Sequence, residues 1–140
     1  FVTTMYPGVQ THPASVASAV PPADSSPVLQ HVYSPPPRSG DNNVGWLEVR
    51  HIPEGVVCFG SCAVWIPGSF GGSSVTLHAE EFFRPARQAA DMALRDRWQR
   101  LTVHGVAAKE PVNFVLRCDA RAGDVCYSTS WQCRAHDIRE

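Results

Sequence analysis

The sequence predicts an all-β protein, an antiparallel sandwich or barrel, on three observations. Residues 96–133 hold three consecutive strand candidates joined by short polar turns, with Trp98 opening the first and Trp131 closing the last. Ahead of them, residues 44–83 alternate or run apolar in strand-length stretches closed by Pro and Gly turn signals. No window carries a sustained helical pattern, and strands at this spacing pack as a sandwich or a barrel.

Composition divides the 140 residues near position 43. Residues 1–43 hold eight of the twelve prolines and three charged side chains, Asp24, Arg38 and Asp41. Proline cannot donate a strand or helix hydrogen bond, and Pro35 to Pro37 favours polyproline II. Residues 1–43 therefore read as a proline-rich arm or linker, with Val28 to Tyr33 a short strand candidate inside it. Residues 44–140 read as the β-sandwich domain. The chain opens at Phe1 with no Met or basic leader, so a fragment of a longer protein is expected.

Within the domain, Gly45 to Arg50 alternates apolar and polar and stops at Pro53 to Gly55. Val56 to Ile66 is a longer apolar strand, ended by Pro67 and Gly68. In Val75 to Phe83, residues Val75, Leu77 and Ala79 share one face, and Thr76, His78 and Glu80 the other. Ala86 to Arg97 is the one helix-compatible window, read as a loop or a single helical turn. Trp98 to His104, Val112 to Cys118 and Val125 to Cys133 complete the strands, and the short link Asp119 to Asp124 predicts that the last two form a hairpin.

A formal charge of −1 gives no broad electrostatic drive toward nucleic acid or anionic lipid, so neither is expected as a partner. The longest apolar run, Val56 to Pro67, is too short to span a bilayer. Enzyme signatures are missing as well. Glu80 and Glu81 are adjacent, so a strand points them to opposite faces, unlike a pair flanking a glycosidic bond. Gly71 and Gly72 lack the Lys of a phosphate loop, and no cysteine sits in a nucleophile signature.

Five cysteines leave an odd count. Cys58 and Cys62 share a strand face but lie about 13 Å apart at strand rise, too far for a disulfide. Cys126 and Cys133 are expected on opposite faces of their strand, and Cys118 and Cys126 are the local pair that a hairpin brings near. Reduced, buried thiols are the expectation, and a zinc site is not.

The run WIPG (65–68), SVTLHAEEF (74–82), RWQRLTV (97–103), PVNFVLRCD (111–119), GDV (123–125) and SWQ (130–132) resembles the jelly-roll carbohydrate-binding modules of the CBM4/9/22 type, which are galactose-binding-like β-sandwiches. The resemblance covers residues 44–135. Its markers are Trp98 with Arg100, then Gly123, Asp124 and Val125, then Trp131 with Gln132. The first strands of such a fold are not visible in the proline-rich segment.

The resemblance implies a jelly roll that binds sugar on a sheet face or at an edge. An aromatic ring would stack on a pyranose while amides, carboxylates and guanidinium groups bond its hydroxyls. The non-core strand positions supply His78, Glu80, Asn113, Arg117 and Gln99, with Trp65 or Phe82 as the platform. Each has a plainer reading as packing, solvated surface or a local ion pair. No cofactor is expected, although jelly rolls of this type can carry a structural calcium, for which Asp41, Asp119 and Asp124 are the loop acids. The expected function is a non-catalytic, lectin-like accessory domain. Its partners would be a glycan or polysaccharide and other domains of one longer chain. The alternative is a self-associating assembly module of a phage tail or surface protein. The compartment stays open: the resemblance points outside the cell, the thiols to a reducing interior.

Overall fold

Phe114 sets the thickness of the core: its ring, from one sheet, lies against the backbone of Gly60 in the other, in the space a Cβ at position 60 would fill. The computed structural model describes residues 2–7, 11–13, 27–33 and 43–137. Ten strands run in order: β1 (Val2–Pro7), β2 (Thr11–Pro13), β3 (Leu29–Val32), β4 (Asn43–Arg50), β5 (Val56–Trp65), β6 (Ser74–Glu80), β7 (Ala86–Ala89), β8 (Trp98–Val106), β9 (Val112–Asp119) and β10 (Val125–Asp137). They form two five-stranded sheets, sheet I in the order β1-β4-β9-β6-β7 and sheet II in the order β2-β3-β10-β5-β8. Every pairing is antiparallel. The protein is an all-β sandwich.

The core follows from strand alternation. Leu47 and Val49 of β4, Val75 and Leu77 of β6, and Val112, Phe114 and Leu116 of β9 are buried on the inner face of sheet I. Cys58, Cys62 and Val64 of β5 with Leu101 and Val103 of β8 answer them from sheet II. Burying such a side chain contributes roughly 1.5–3 kcal/mol, and two inner faces joined this way are the ordinary construction of a sandwich.

The structure departs from the sequence expectations in five places. First, three strands lie ahead of residue 43 and enter both sheets: β1 pairs with β4, and β3 pairs with β10 and β2. The strand expected within Val28 to Tyr33 is β3, while Pro35 to Pro37 falls outside the described residues. Second, Asp119 to Asp124 does not close a hairpin. Its strands β9 and β10 belong to different sheets, so the link crosses the sandwich, turning at Gly123 with φ of 86°. Third, the window from Ala86 opens as strand β7, paired with β6, and contains no helix. Fourth, β6 stops at Glu80, because Glu81 adopts φ of 67° and leaves the ladder. Fifth, a bulge between Thr129 and Gln132, with Ser130 at φ of 57°, reverses the parity of β10. Cys133 therefore packs on the core side as Cys126 does.

Candidate functional site

Two outer sheet faces are available, and each gathers polar side chains by strand register. On sheet I, Trp46, Val115, His78 and Arg87 lie in one cross-strand row, and Glu48, Asn113 and Glu80 in the next. Asn43, Arg117 and Thr76 make a third row. Four residues expected at a site, His78, Glu80, Asn113 and Arg117, thus meet on this face. Two shallow depressions of about 340 and 330 Å³ flank them and share Glu80 and Arg117.

These groups are mostly committed to one another. Arg117 pairs with Glu80 and donates from Nε to Asn43 Oδ1 at 2.7 Å. Glu81 Oε2 accepts from the Asn113 backbone at 3.0 Å and from its amide at 3.2 Å. The turned backbone at Glu81 places both adjacent carboxylates on the outer side, contrary to the strand-parity expectation. Each carboxylate nevertheless has its own partner. Desolvation, then the charge of Arg117, holds His78 below its ordinary pKa, with Glu80 opposing.

The outer face of sheet II is built differently. Phe59 of β5 is 41% exposed and stacks on His104 of β8, ring centroids 5.4 Å apart. Register puts Arg134, Phe59 and His104 in one row and Gln132, Ser61 and Thr102 in the next. All of these except His104, together with Arg100 and His136, line a cleft of about 680 Å³, twice either depression on sheet I. Among the described residues, Gln132, Arg134 and His136 make no side-chain hydrogen bond or ion pair, and the Arg100 guanidinium reaches only Ser61 Oγ, at 3.4 Å. Here an aromatic wall stands beside polar groups still able to bond a ligand.

The remaining expected site residues do not join the sheet I cluster. Trp65 lies on the outer side of sheet II, edge-on to Trp98 at 5.6 Å and opposite Tyr127, about 20 Å along β5 from Phe59. Phe82 is 6% exposed and packs at 5.6 Å on Phe114, so its face is closed to a sugar. Gln99 fastens a loop, accepting from the Asp91 backbone at 2.8 Å and donating back to it at 3.1 Å.

Two of the three loop acids, Asp119 and Asp124, are engaged in hydrogen bonds within the protein. Asp119 accepts from Ser73, and both carboxylate oxygens of Asp124 accept backbone bonds, from Gly71 and Arg121. Among the described residues no three acidic, His or Cys side chains gather as a metal site, and Asp41 lies outside those residues.

Sequence reasoning passed over Phe59, His104 and Arg134, and singled out Arg100 and Gln132 as markers of the fold without placing them at a site. The usable signal was the period-two spacing of Arg100, Thr102 and His104 opposite Leu101 and Val103. Phe59 was hidden because it sits inside an apolar run whose two faces look alike.

No protein-family model matches the chain, and no curated protein sequence does. Solved structures do. A CBM61 carbohydrate-binding module in complex with β-1,4-galactotriose superimposes with a TM-score of 0.62 at 11% identity, over 96% of this chain and 88% of that one. The CBM22-1–GH10 modules of Clostridium thermocellum endo-1,4-β-D-xylanase 10B, complexed with xylohexaose, give 0.58 at 11%, over 92% of this chain and 25% of that one. The C-terminal domain of EclA, a sugar-binding protein, gives 0.55 at 7%, over 84% of each chain. The fold is therefore the jelly-roll sandwich of carbohydrate-binding modules.

Proposed function

We propose that this chain is a non-catalytic glycan-binding module, acting as an accessory domain of a longer protein, and that the glycan lies along the outer face of sheet II. One observation carries the choice of face. The exposed Phe59 ring, backed by His104, stands in the cleft beside Gln132 and Arg134, which have no other side-chain partner among the described residues. An aromatic face takes the apolar side of a pyranose, and unpaired amide and guanidinium groups bond hydroxyls at no cost in protein–protein bonds. Trp65, farther along the same face, is a second platform for a longer chain. The polar groups of sheet I would have to surrender existing bonds to do the same.

Both complexed neighbours hold oligosaccharides, and one is a module attached to a xylanase, which supports the accessory role. The alternative, a self-associating module, calls for a broad apolar patch. Among the described residues the exposed large apolar side chains are Phe59 and Phe83 alone.

The test is titration of the full chain with a panel of soluble polysaccharides. Phe59→Ala is expected to weaken a hit at least tenfold, about 1.4 kcal/mol, while the double variant His78→Ala, Glu80→Ala leaves it intact. The reverse pattern would move the site to sheet I, where His78, Glu80, Asn113 and Arg117 form the competing face. A folded chain that binds no glycan, and sediments as an oligomer, would favour assembly instead.

A further inference from the structure

We infer that the glycan of the sheet II cleft is acidic: a polysaccharide bearing uronic-acid carboxylates. This rests on the reading of sheet II as the glycan face. Charge is segregated across the sandwich. The outer face of sheet I carries Glu48, Glu80 and Glu81 among its cations, whereas β3, β5 and β8 contain no Asp or Glu, and β10 has only Asp137 at its end. Yet the cleft on sheet II presents Arg100 and Arg134, both exposed, with His136 in its lining and His104 stacked on Phe59. The chain as a whole has a formal charge of −1, so this cationic face does not follow from general basicity.

Arg50 and Arg117 each have a glutamate, Glu48 and Glu80. Among the described residues Arg100 and Arg134 have none. An exposed arginine without a carboxylate partner, in a cleft, is a place where a ligand can supply one. The planar guanidinium fork matches the two oxygens of a uronate carboxylate bidentately. The hydroxyl and amide row of Gln132, Ser61 and Thr102, lying between Arg100 and the row of Arg134, suits a hydroxyl-dense chain better than the spaced phosphates of a nucleic acid.

The experiment compares polygalacturonate with its fully methyl-esterified form, which keeps the backbone and masks the carboxylates, using the full chain by isothermal titration. At least a tenfold preference for the free acid is expected, declining as salt rises. In Arg100→Gln, Arg134→Gln the ratio between the two polymers should collapse toward one, with circular dichroism verifying the fold. Equal binding of acid and ester would overturn the acidic ligand and leave the glycan face standing. Binding of neither polymer, nor of neutral galactan or xylan, would overturn both. Tighter binding of dextran sulfate or single-stranded RNA than of polygalacturonate would show a general anion surface and also overturn the inference.

Discussion

His31 Nε2 and Ser128 Oγ lie 2.6 Å apart, 97 positions apart in the chain, and both side chains are buried. Ser128 Oγ accepts from the Trp131 indole at 2.9 Å, so its own proton is available to His31. A proline-rich segment that reads as a linker thus places a histidine in the core, where burial lowers its pKa to about 4 against a small opposing bond to the Val44 backbone.

Stability should accordingly fall in mild acid. The unfolded chain protonates His31 near 6.5 and the folded chain near 4. Between those values the unfolded state binds the extra proton, and folding weakens as pH drops. From pH 7 to pH 5 the loss is about 2 kcal/mol, and below pH 4 both states are protonated and this dependence ends. Urea unfolding of the wild type and His31→Gln at both pH values should show that loss in the former only. Equal slopes would assign the effect to other groups.

A fragment beginning at residue 44 should be a poorer protein than its composition suggests. It lacks β1 and β3, which cover the edges of β4 and β10, and it lacks the His31–Ser128 bond. A lower Tm by calorimetry and concentration-dependent association by sedimentation are expected, since open strand edges pair with one another. A monomeric fragment with the Tm of the full chain would return residues 1–43 to the role of a linker.

Gly60→Ala should destabilise by about 1–3 kcal/mol or more, because the new methyl would overlap the buried Phe114 ring. Pairing it with Phe114→Leu should recover part of the loss, so that the two changes cost less together than their sum in a double-mutant cycle. Strict additivity would mean that the backbone of β5 moves instead.

The Sγ atoms of Cys118 and Cys126 are 3.8 Å apart, on the inner faces of opposite sheets, although the hairpin expected to join them does not exist. Refolding in glutathione disulfide should link them, the two thiols yielding one disulfide and two reduced glutathiones, with a mass loss of two hydrogens located by peptide mapping. For a separation of eight residues the gain is about 2.5 kcal/mol in the chain-entropy model. The folded chain should oxidise slowly, because the hydrogen bond to Cys118 and desolvation push the Cys126 thiol well up and thiolate is scarce. Failure to link on refolding would mean that sheet packing keeps the sulfurs from bonding distance.

Much of the fold was legible because alternation survives in any strand with one wet face. The inner residues Val75, Leu77 and Ala79, and the outer residues His78 and Glu80, follow from it directly. What was not legible depends on places where the local rule is broken or silent. The β9–β10 link has the length of a hairpin, and nothing in Asp119 to Asp124 reveals that its two strands belong to different sheets. Phe82 looked available because the strand pattern continued past Glu80, yet the turned backbone at Glu81 sends that ring into the core. Strands β1 to β3 were obscured by prolines that fall at strand ends or between strands, such as Pro7 and Pro13.

The irregularity at Thr129 to Gln132 has an evolutionary consequence. Ahead of it β10 turns Cys126 and Ser128 inward; beyond it Gln132, Arg134 and His136 face the cleft. One extra residue thus decides which half of the alphabet on this strand the solvent reads. A lineage that gained or lost a single codon here would exchange its cleft-facing residues for Trp131, Cys133 and Ala135 in one step, without any substitution at the surface itself.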